Sequence, residues 1–219
     1  MRTKKALFIV LAGLTMVGCV SVNHIPMTPD AITSINNKEV VTGKREKPNF
    51  AAMTAGKAMF AMVGAAAMIS AGNEIVAKNN VQDPATYISE KLSTALSMKY
   101  GTKVSAKTVS ITDDDVQALS RKNPEIDLIL DIRTVNWSFV YFPTTWDKYR
   151  VIYSARLRLI DVKGGKVTAE GFCSRIPDQT PSSPTYEELL ANDAKRLKRE
   201  LREAADFCIN DFKTKVLQL

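Results

Sequence analysis

Three thiols, one imidazole and a run of three carboxylates are the groups in this 219-residue chain whose chemistry has to be weighed first. His24 is the single histidine and lies in a segment that reads as a tether, which argues against histidine-based triads and multi-histidine metal sites. No glycine-rich phosphate loop, HExxH or GxSxG pattern occurs. Asp113, Asp114 and Asp115 could hold a hard cation such as Ca²⁺, but they lack the alternating aspartates and glycine of calcium loops. Acidic residues also collect in the first turn of a helix, where the dipole favours them, and that is the reading preferred here. No metal, no cofactor and no catalytic residue are expected, so the inventory points away from an enzyme. The remaining candidates are rings: Trp137, Phe139, Tyr141, Phe142, Trp146 and Tyr149 fall close together. Trp137, Phe139 and Tyr141 alternate and so share one face of a strand. Exposed, Trp137, Phe139, Tyr141, Trp146 and Tyr149 would form a partner-binding patch or a stacking platform for a sugar; buried, they would be core beneath helices.

Two of the thiols, Cys173 and Cys208, lie in the second half of the chain, while the third sits in a different context. Arg2, Lys4 and Lys5 precede an apolar run from Ala6 to Val17 that stops at Gly18-Cys19, the pattern of an export signal too short to span a membrane in the mature protein. The tetrapeptide Met16-Val17-Gly18-Cys19 resembles the lipobox of bacterial lipoproteins. That resemblance implies cleavage after residue 18, diacylation of the Cys19 thiol and acylation of the new amino group. Several acyl chains on one residue anchor firmly, since one chain alone binds marginally and each buried methylene adds about 0.8 kcal/mol. Val20 stands where members kept in the inner membrane usually carry Asp, so the resemblance implies the periplasmic face of the outer membrane. An ordinary secretory signal with a chance cysteine is the plainer alternative.

Cleavage would leave 201 residues and lower the formal charge from +7 to +4, because the signal carries three basic residues and no acidic ones. Such mild basicity gives no case for nucleic acid. The periplasm is oxidising, so a disulfide between Cys173 and Cys208 is expected, with two reduced buried thiols as the alternative.

Residues 19–48 show no sustained period and contain Pro26, Pro29, Gly43 and Pro48, which predicts a flexible tether with an end-to-end distance of roughly 30 Å. An apolar helical segment occupies 49–80, with Ala51–Gly72 almost wholly Ala, Gly and Met and Lys57 its only charge. Lacking a polar face, it must be covered on all sides, lie on a membrane or span one, and its small residues would let backbones approach closely. Residues 81–219 read as an α/β (α+β) domain. Asp83-Pro84 opens a helix that Gly101 closes; Lys103–Ile111 is a strand; Thr112 caps a short helix; Ile126–Trp137 is a central strand.

Arg150–Ile160 alternates, with Val151, Tyr153, Ala155, Leu157 and Leu159 on one face and Arg150, Ser154, Arg156 and Arg158 on the other, and Gly164-Gly165 turns it into Lys166–Ser174. Thr185 and Glu188 form a capping box for a long last helix in which Leu190, Leu197, Leu201, Cys208, Phe212 and Leu219 recur at seven and four. Cys173 and Cys208 face inward by these two independent periodicities. The basic run Lys195, Arg196, Lys198, Arg199 and Arg202 on that helix reads as a solvated face, or as a surface for acidic headgroups. The expected architecture is a single sandwich, a mixed sheet packed by helices.

The layout of lipobox, tether, helix, Val/Ile strands, glycine-turn hairpin and terminal helix is similar to small envelope lipoproteins of the anticodon-binding-like group, among them lipoprotein activators of penicillin-binding proteins and the curli secretion subunit. The stretch from Glu74 to Ala85 also resembles one in uncharacterised proteobacterial lipoproteins. These resemblances imply a fold and a compartment. They leave the function open; the anchor, the tether and the Ala/Gly/Met helix lead to the expectation of a non-catalytic outer-membrane lipoprotein, held by acyl chains on Cys19, that binds a protein partner or its own copies in an envelope assembly. The alternative is an accessory lipoprotein of a lipid or envelope transport system.

Overall fold

The computed structural model describes residues 23–58 and 61–219. Strands β1 (Glu39–Lys44), β2 (Ala51–Met53), β3 (Lys103–Ser110), β4 (Leu128–Phe142), β5 (Thr145–Asp161) and β6 (Lys166–Arg175) form one mixed sheet. β1 lies between β3 and β4 and is parallel to both; β2 joins β4 in parallel beyond β1; β4, β5 and β6 are antiparallel neighbours. Parallel neighbours need crossover connections. Helices α3 (Ala61–Lys78) and α4 (Pro84–Tyr100) lie on the connection that leads from β1 to its neighbour β3, and α5 (Val116–Lys122) lies between β3 and β4, which flank β1 on either side.

Helix α4 starts where Asp83 accepts from the Ala85 N–H and ends at Gly101, whose φ of 68° is the left-handed turn that glycine adopts freely. Its Ile88, Leu92 and Leu96 are fully buried against the sheet. The last helix, α6 (Tyr186–Phe212), opens with the reciprocal Thr185–Glu188 capping box and packs Leu197, Leu201, Ala205, Cys208 and Phe212 on the same sheet face. The single α/β domain is thus the expected sandwich of a mixed sheet and helices.

Four boundaries differ from the sequence reading. The predicted tether of residues 19–48 is built into the domain from Ile25 onward: Ile25 bridges Glu170 on β6, Thr28 caps α1 (Pro29–Ile35), and β1 is interior to the sheet. A parallel strand paired on both sides draws its stability from distant partners, so six residues flanked by charges leave no local period to read.

The predicted helix at Ala51 begins instead as strand β2, followed by the four-residue α2 (Ala55–Ala58) and then α3. On α3, Gly64, Met68, Gly72 and Val76 recur at intervals of four on the buried side, and Ala65, Ala66, Ala67 and Ile69 are exposed. The helix crosses the chain at Phe50 so closely that a Cβ on Gly72 would sit 2.0 Å from the Phe50 carbonyl oxygen. Asn73 fixes the crossing, accepting from the Phe50 N–H at 2.9 Å and donating to Asn49 Oδ1 at 2.8 Å. No helix among the described residues is long and apolar enough to cross a membrane.

The long last helix is interrupted. Asn192, Asp193 and Ala194 take φ values of 52°, 55° and 55°, so the repeat of buried leucines runs unbroken only from Leu197. Asn and Asp tolerate the left-handed region because their side chains can bond locally, which locates the break at that pair. Finally, α5 is capped by Asp115, which accepts from the Ala118 N–H at 2.9 Å, instead of by Thr112.

Candidate functional site

The face of the sheet turned away from α4 and α6 carries the most concentrated chemistry of the described residues. One end of it is a small apolar core of Val41, Val109, Ile111, Leu119, Ile126, Ile129, Ile160 and Val162, covered by α5. Beside that core, alternation along β5 brings Arg156 and Arg158 to the same face, opposite Arg133 and Asp131 of β4. Arg45, just past β1, and Asp114, on the loop leading to α5, complete a cluster of four guanidiniums and two carboxylates.

Asp131 is 0% exposed. Its Oδ1 accepts from Arg45 Nε at 2.7 Å, and its Oδ2 accepts from Arg45 Nη2 and Arg158 Nη2, both at 2.9 Å. Asp114 takes hydrogen bonds from all four arginines: Arg45 Nη2 at 2.8 Å, Arg156 Nη2 at 2.6 Å and Arg158 Nη2 at 3.3 Å on Oδ1, and Arg133 Nη1 at 2.7 Å on Oδ2. The hydrogen bond from Arg156, joined by the charges of Arg156, Arg45 and Arg158, outweighs partial burial and holds the Asp114 carboxyl well below the usual carboxylate range. The Asp114 carboxylate held this way has no proton to donate near neutrality and little tendency to take one. The cluster is a charge-assisted latch with an excess of two positive charges, and planar guanidiniums suit it to carboxylate or phosphate oxygens.

On the helix-covered face a second polar group is buried. The Thr134 hydroxyl lies between Asp83 Oδ1, at 2.5 Å, and the Tyr153 hydroxyl, at 3.0 Å. Burial pushes the Asp83 carboxyl up, against hydrogen bonds from Ala85 and Thr134, and burial likewise pushes the Tyr153 hydroxyl up. This relay ties the start of α4 to the middle of β4 and β5.

The ring cluster divides. Trp137 is 1% exposed, Phe139 and Tyr149 are also buried, and Phe139 packs edge-on against Tyr149 and Tyr186. These three rings are therefore core and unavailable to a partner. The reason is their register: Trp137, Phe139 and Tyr141 share the face that the helices cover, and Tyr141 is itself packed partly beneath them. Trp146 alone, at the β4–β5 turn, stands 65% exposed.

Cys173 and Cys208 are joined by a disulfide with their Cα atoms 5.5 Å apart, linking β6 to α6. Of the basic run on α6, Arg196, Arg199 and Arg202 lie beside Glu200, Glu203 and Asp206, and the Arg202 guanidinium covers the Tyr87 ring at 3.2 Å. The three aspartates do not converge: Asp113 accepts from the Asp115 N–H, Asp114 enters the arginine cluster and Asp115 caps α5. Among the described residues no three His, Cys, Asp or Glu side chains are arranged to hold a metal. The lipobox and Cys19 lie outside the described residues; His24 is exposed.

No protein-family model matches this chain, and no curated protein matches it. Solved structures similar to it include a neuraminyllactose-binding hemagglutinin homolog from Helicobacter pylori, at 12% identity and a TM-score of 0.35, covering 90% of this chain and 88% of that one. Lipoprotein GNA1162 from Neisseria meningitidis is similar at 14% identity and a TM-score of 0.30, covering 80% and 99%. The PelC dodecamer from Paraburkholderia phytofirmans is similar at 10% identity and a TM-score of 0.25, covering 77% and 88%. These similarities are distant, and no residue, ligand or assembly is carried from them to this chain.

Proposed function

We propose that this chain is a non-catalytic lipoprotein of the bacterial cell envelope, anchored by acyl chains on Cys19 to the periplasmic face of the outer membrane, where its α/β domain binds a protein partner or further copies of itself. The observation that carries the reading is the division of labour among the three cysteines. Two are spent on a bond between β6 and α6, as suits an oxidising compartment, and the third closes the lipobox. The exposed Ala65, Ala66, Ala67 and Ile69 of α3 and the exposed Trp146 supply apolar surface for the protein contact. The arginine cluster, whose carboxylates are fully engaged, supports a binding role over a catalytic one.

The test is metabolic labelling with palmitate together with separation of inner and outer membranes. Wild-type protein takes up label and fractionates with the outer membrane, and Cys19→Ser takes up none and is released. Unlabelled wild-type protein, or a Cys19→Ser variant that fractionates unchanged, overturns the proposal. Crosslinking in whole envelopes, compared between wild type and an Ile69→Asp, Trp146→Ala double variant, then identifies the partner and tells it from self-association.

A further inference from the structure

We infer that the β6 edge of the sheet, with Phe172, Ile176 and the adjoining Phe207, faces the phospholipid bilayer; this rests on the acylation of Cys19 proposed above. The chain enters the domain at that edge. The Ile25 N–H donates to the Glu170 carbonyl and the Glu170 N–H donates to the Ile25 carbonyl, both at 2.8 Å, and the Met27 N–H donates to the Val216 carbonyl at 2.8 Å. Six residue steps separate Cys19 from Ile25, and a fully extended chain covers at most about 3.6 Å per residue, so an acylated Cys19 keeps Ile25 within roughly 20 Å of the lipid. Fully extended, this leash is about as long as the sheet is wide, so it holds the β6 edge near the lipid, and the side chains of that edge decide which way the sheet is turned. With the β6 edge turned to the bilayer, strands spaced about 4.8 Å apart put β3, the opposite edge, roughly 20 Å farther away.

The side chains on the near edge suit an interface. Because the Ile25–Glu170 pair is antiparallel, the chain preceding Ile25 heads along β6 toward Phe172 and residues beyond it. Phe172 is 43% exposed, Ile176 55% and Phe207 44%; Phe172, paired with Arg156, is on the sheet face away from α6, which carries Phe207, so large apolar side chains flank the β6 edge from both faces of the sheet. They come with cations. The Arg175 guanidinium lies 6.0 Å from the centroid of the Phe207 ring, and Arg175 and Arg199 flank the single carboxylate of Glu203 at 3.7 and 3.9 Å. Apolar side chains beside arginines whose long stems can lift the charge to headgroup level are the composition of a membrane-facing surface.

The experiment uses the full acylated protein in vesicles of phosphatidylethanolamine and phosphatidylglycerol. With Cys19 acylated and Cys173 bonded to Cys208, an introduced cysteine is the free thiol for an environment-sensitive fluorophore. Phe172→Cys, Ile176→Cys and, on the β3 edge, the exposed Val104→Cys are labelled and read with doxyl-bearing quencher lipids. Labels at 172 and 176 lose most of their emission to the quencher, and the label at 104 keeps its own. Unquenched labels at 172 and 176 in protein that carries palmitate and floats with the vesicles overturn this orientation and leave the lipoprotein reading standing, as does equal quenching at all three positions. Protein that takes up no palmitate and does not float overturns both.

Discussion

The Asp114 carboxylate meets the Arg156 guanidinium at 2.6 Å, and through that bond a surface loop between β3 and α5 is fastened to the middle of the sheet. The same carboxylate is reached by Arg45, Arg133 and Arg158, so one exposed residue gathers three chain segments: the end of β1, β4 and β5.

Asp114→Asn keeps the shape and removes the charge, and we expect it to lower stability by about 1 to 2 kcal/mol, the range of a few charge-assisted bonds partly open to water. The pH dependence has a definite sign. A carboxyl whose folded pKa lies below its unfolded value contributes stability that is complete above the unfolded value, near 4, and is lost as pH falls through the folded one. Urea midpoints measured from pH 7 down to pH 2 should therefore fall on acidification, and less steeply for Asp114→Asn. Parallel curves for the two proteins would remove Asp114 from the account.

Asp131 is the costlier member of the pair. It is wholly buried with Arg45 and Arg158 bonded to it, so truncation leaves these two guanidiniums with only the more exposed Asp114 as counter-charge. Breaking a buried pair by removing one partner costs about 3 to 5 kcal/mol. Thermal or urea unfolding of Asp131→Ala should show a loss of that order and larger than that of Asp114→Ala. The reverse ranking would mean that the loop, and not the strand, organises the cluster.

Much of this architecture was legible because its elements are locally consistent. Asp83-Pro84 and Gly101 bracket α4, the β5 alternation sorts Tyr153 from Arg156, and two independent periodicities turn Cys173 and Cys208 inward. What escaped was held together by partners far along the chain. β1 is central only because residues 103–110 and 128–130 flank it, and Arg45 is a site residue only because Asp114 and Asp131 converge on it from 69 and 86 positions away. One local clue did exist: Asp131 interrupts the apolar run from Leu128 to Ile132, and a carboxylate inside a central strand demands a buried cation. The rings of Trp137 and Phe139 could equally have been patch or core on alternation alone, since alternation gives a shared face and not what covers it.

The Asp83–Thr134–Tyr153 relay gives a test on the other face. Thr134→Val removes the hydroxyl that both neighbours use and leaves the Tyr153 hydroxyl buried without a partner, whereas Tyr153→Phe leaves Thr134 still bonded to Asp83. An unsatisfied buried polar group costs about 1 to 3 kcal/mol. Thr134→Val should accordingly be the more destabilising of the two in urea titrations. Asp83 also opposes Asp114 in its pH response: its raised folded pKa favours the folded state at low pH, and that contribution fades as pH rises through the folded value.

Gly72 allows α3 to lie on the chain at Phe50, where any Cβ would overlap a backbone carbonyl. Helices ordinarily gain from Gly→Ala, by about 1 kcal/mol. Here the clash reverses the sign, because a backbone oxygen cannot swing aside as a flexible side chain would. We expect Gly72→Ala to destabilise by about 1 to 3 kcal/mol and to expose the 49–72 region to limited proteolysis. The neighbouring exposed position serves as control: Ala67→Ser, on the open side of α3, should leave both the midpoint and the cleavage pattern unchanged.

The bond between Cys173 and Cys208 closes a loop of 35 residues that contains the β6–α6 connection and the left-handed break at Asn192–Ala194. In the chain-entropy model, closing a loop of that length stabilises by about 3 to 4 kcal/mol through the unfolded state. Replacing both cysteines by Ala should cost that amount, and adding reductant to the wild type should lower its urea midpoint to a similar degree without altering the double variant. A single replacement, Cys173→Ala, should resemble the double variant in stability and leave Cys208 as a buried thiol between β6 and α6. If reductant leaves the wild-type midpoint in place, packing of Leu197, Leu201 and Phe212 against the sheet holds α6 there and the disulfide is dispensable.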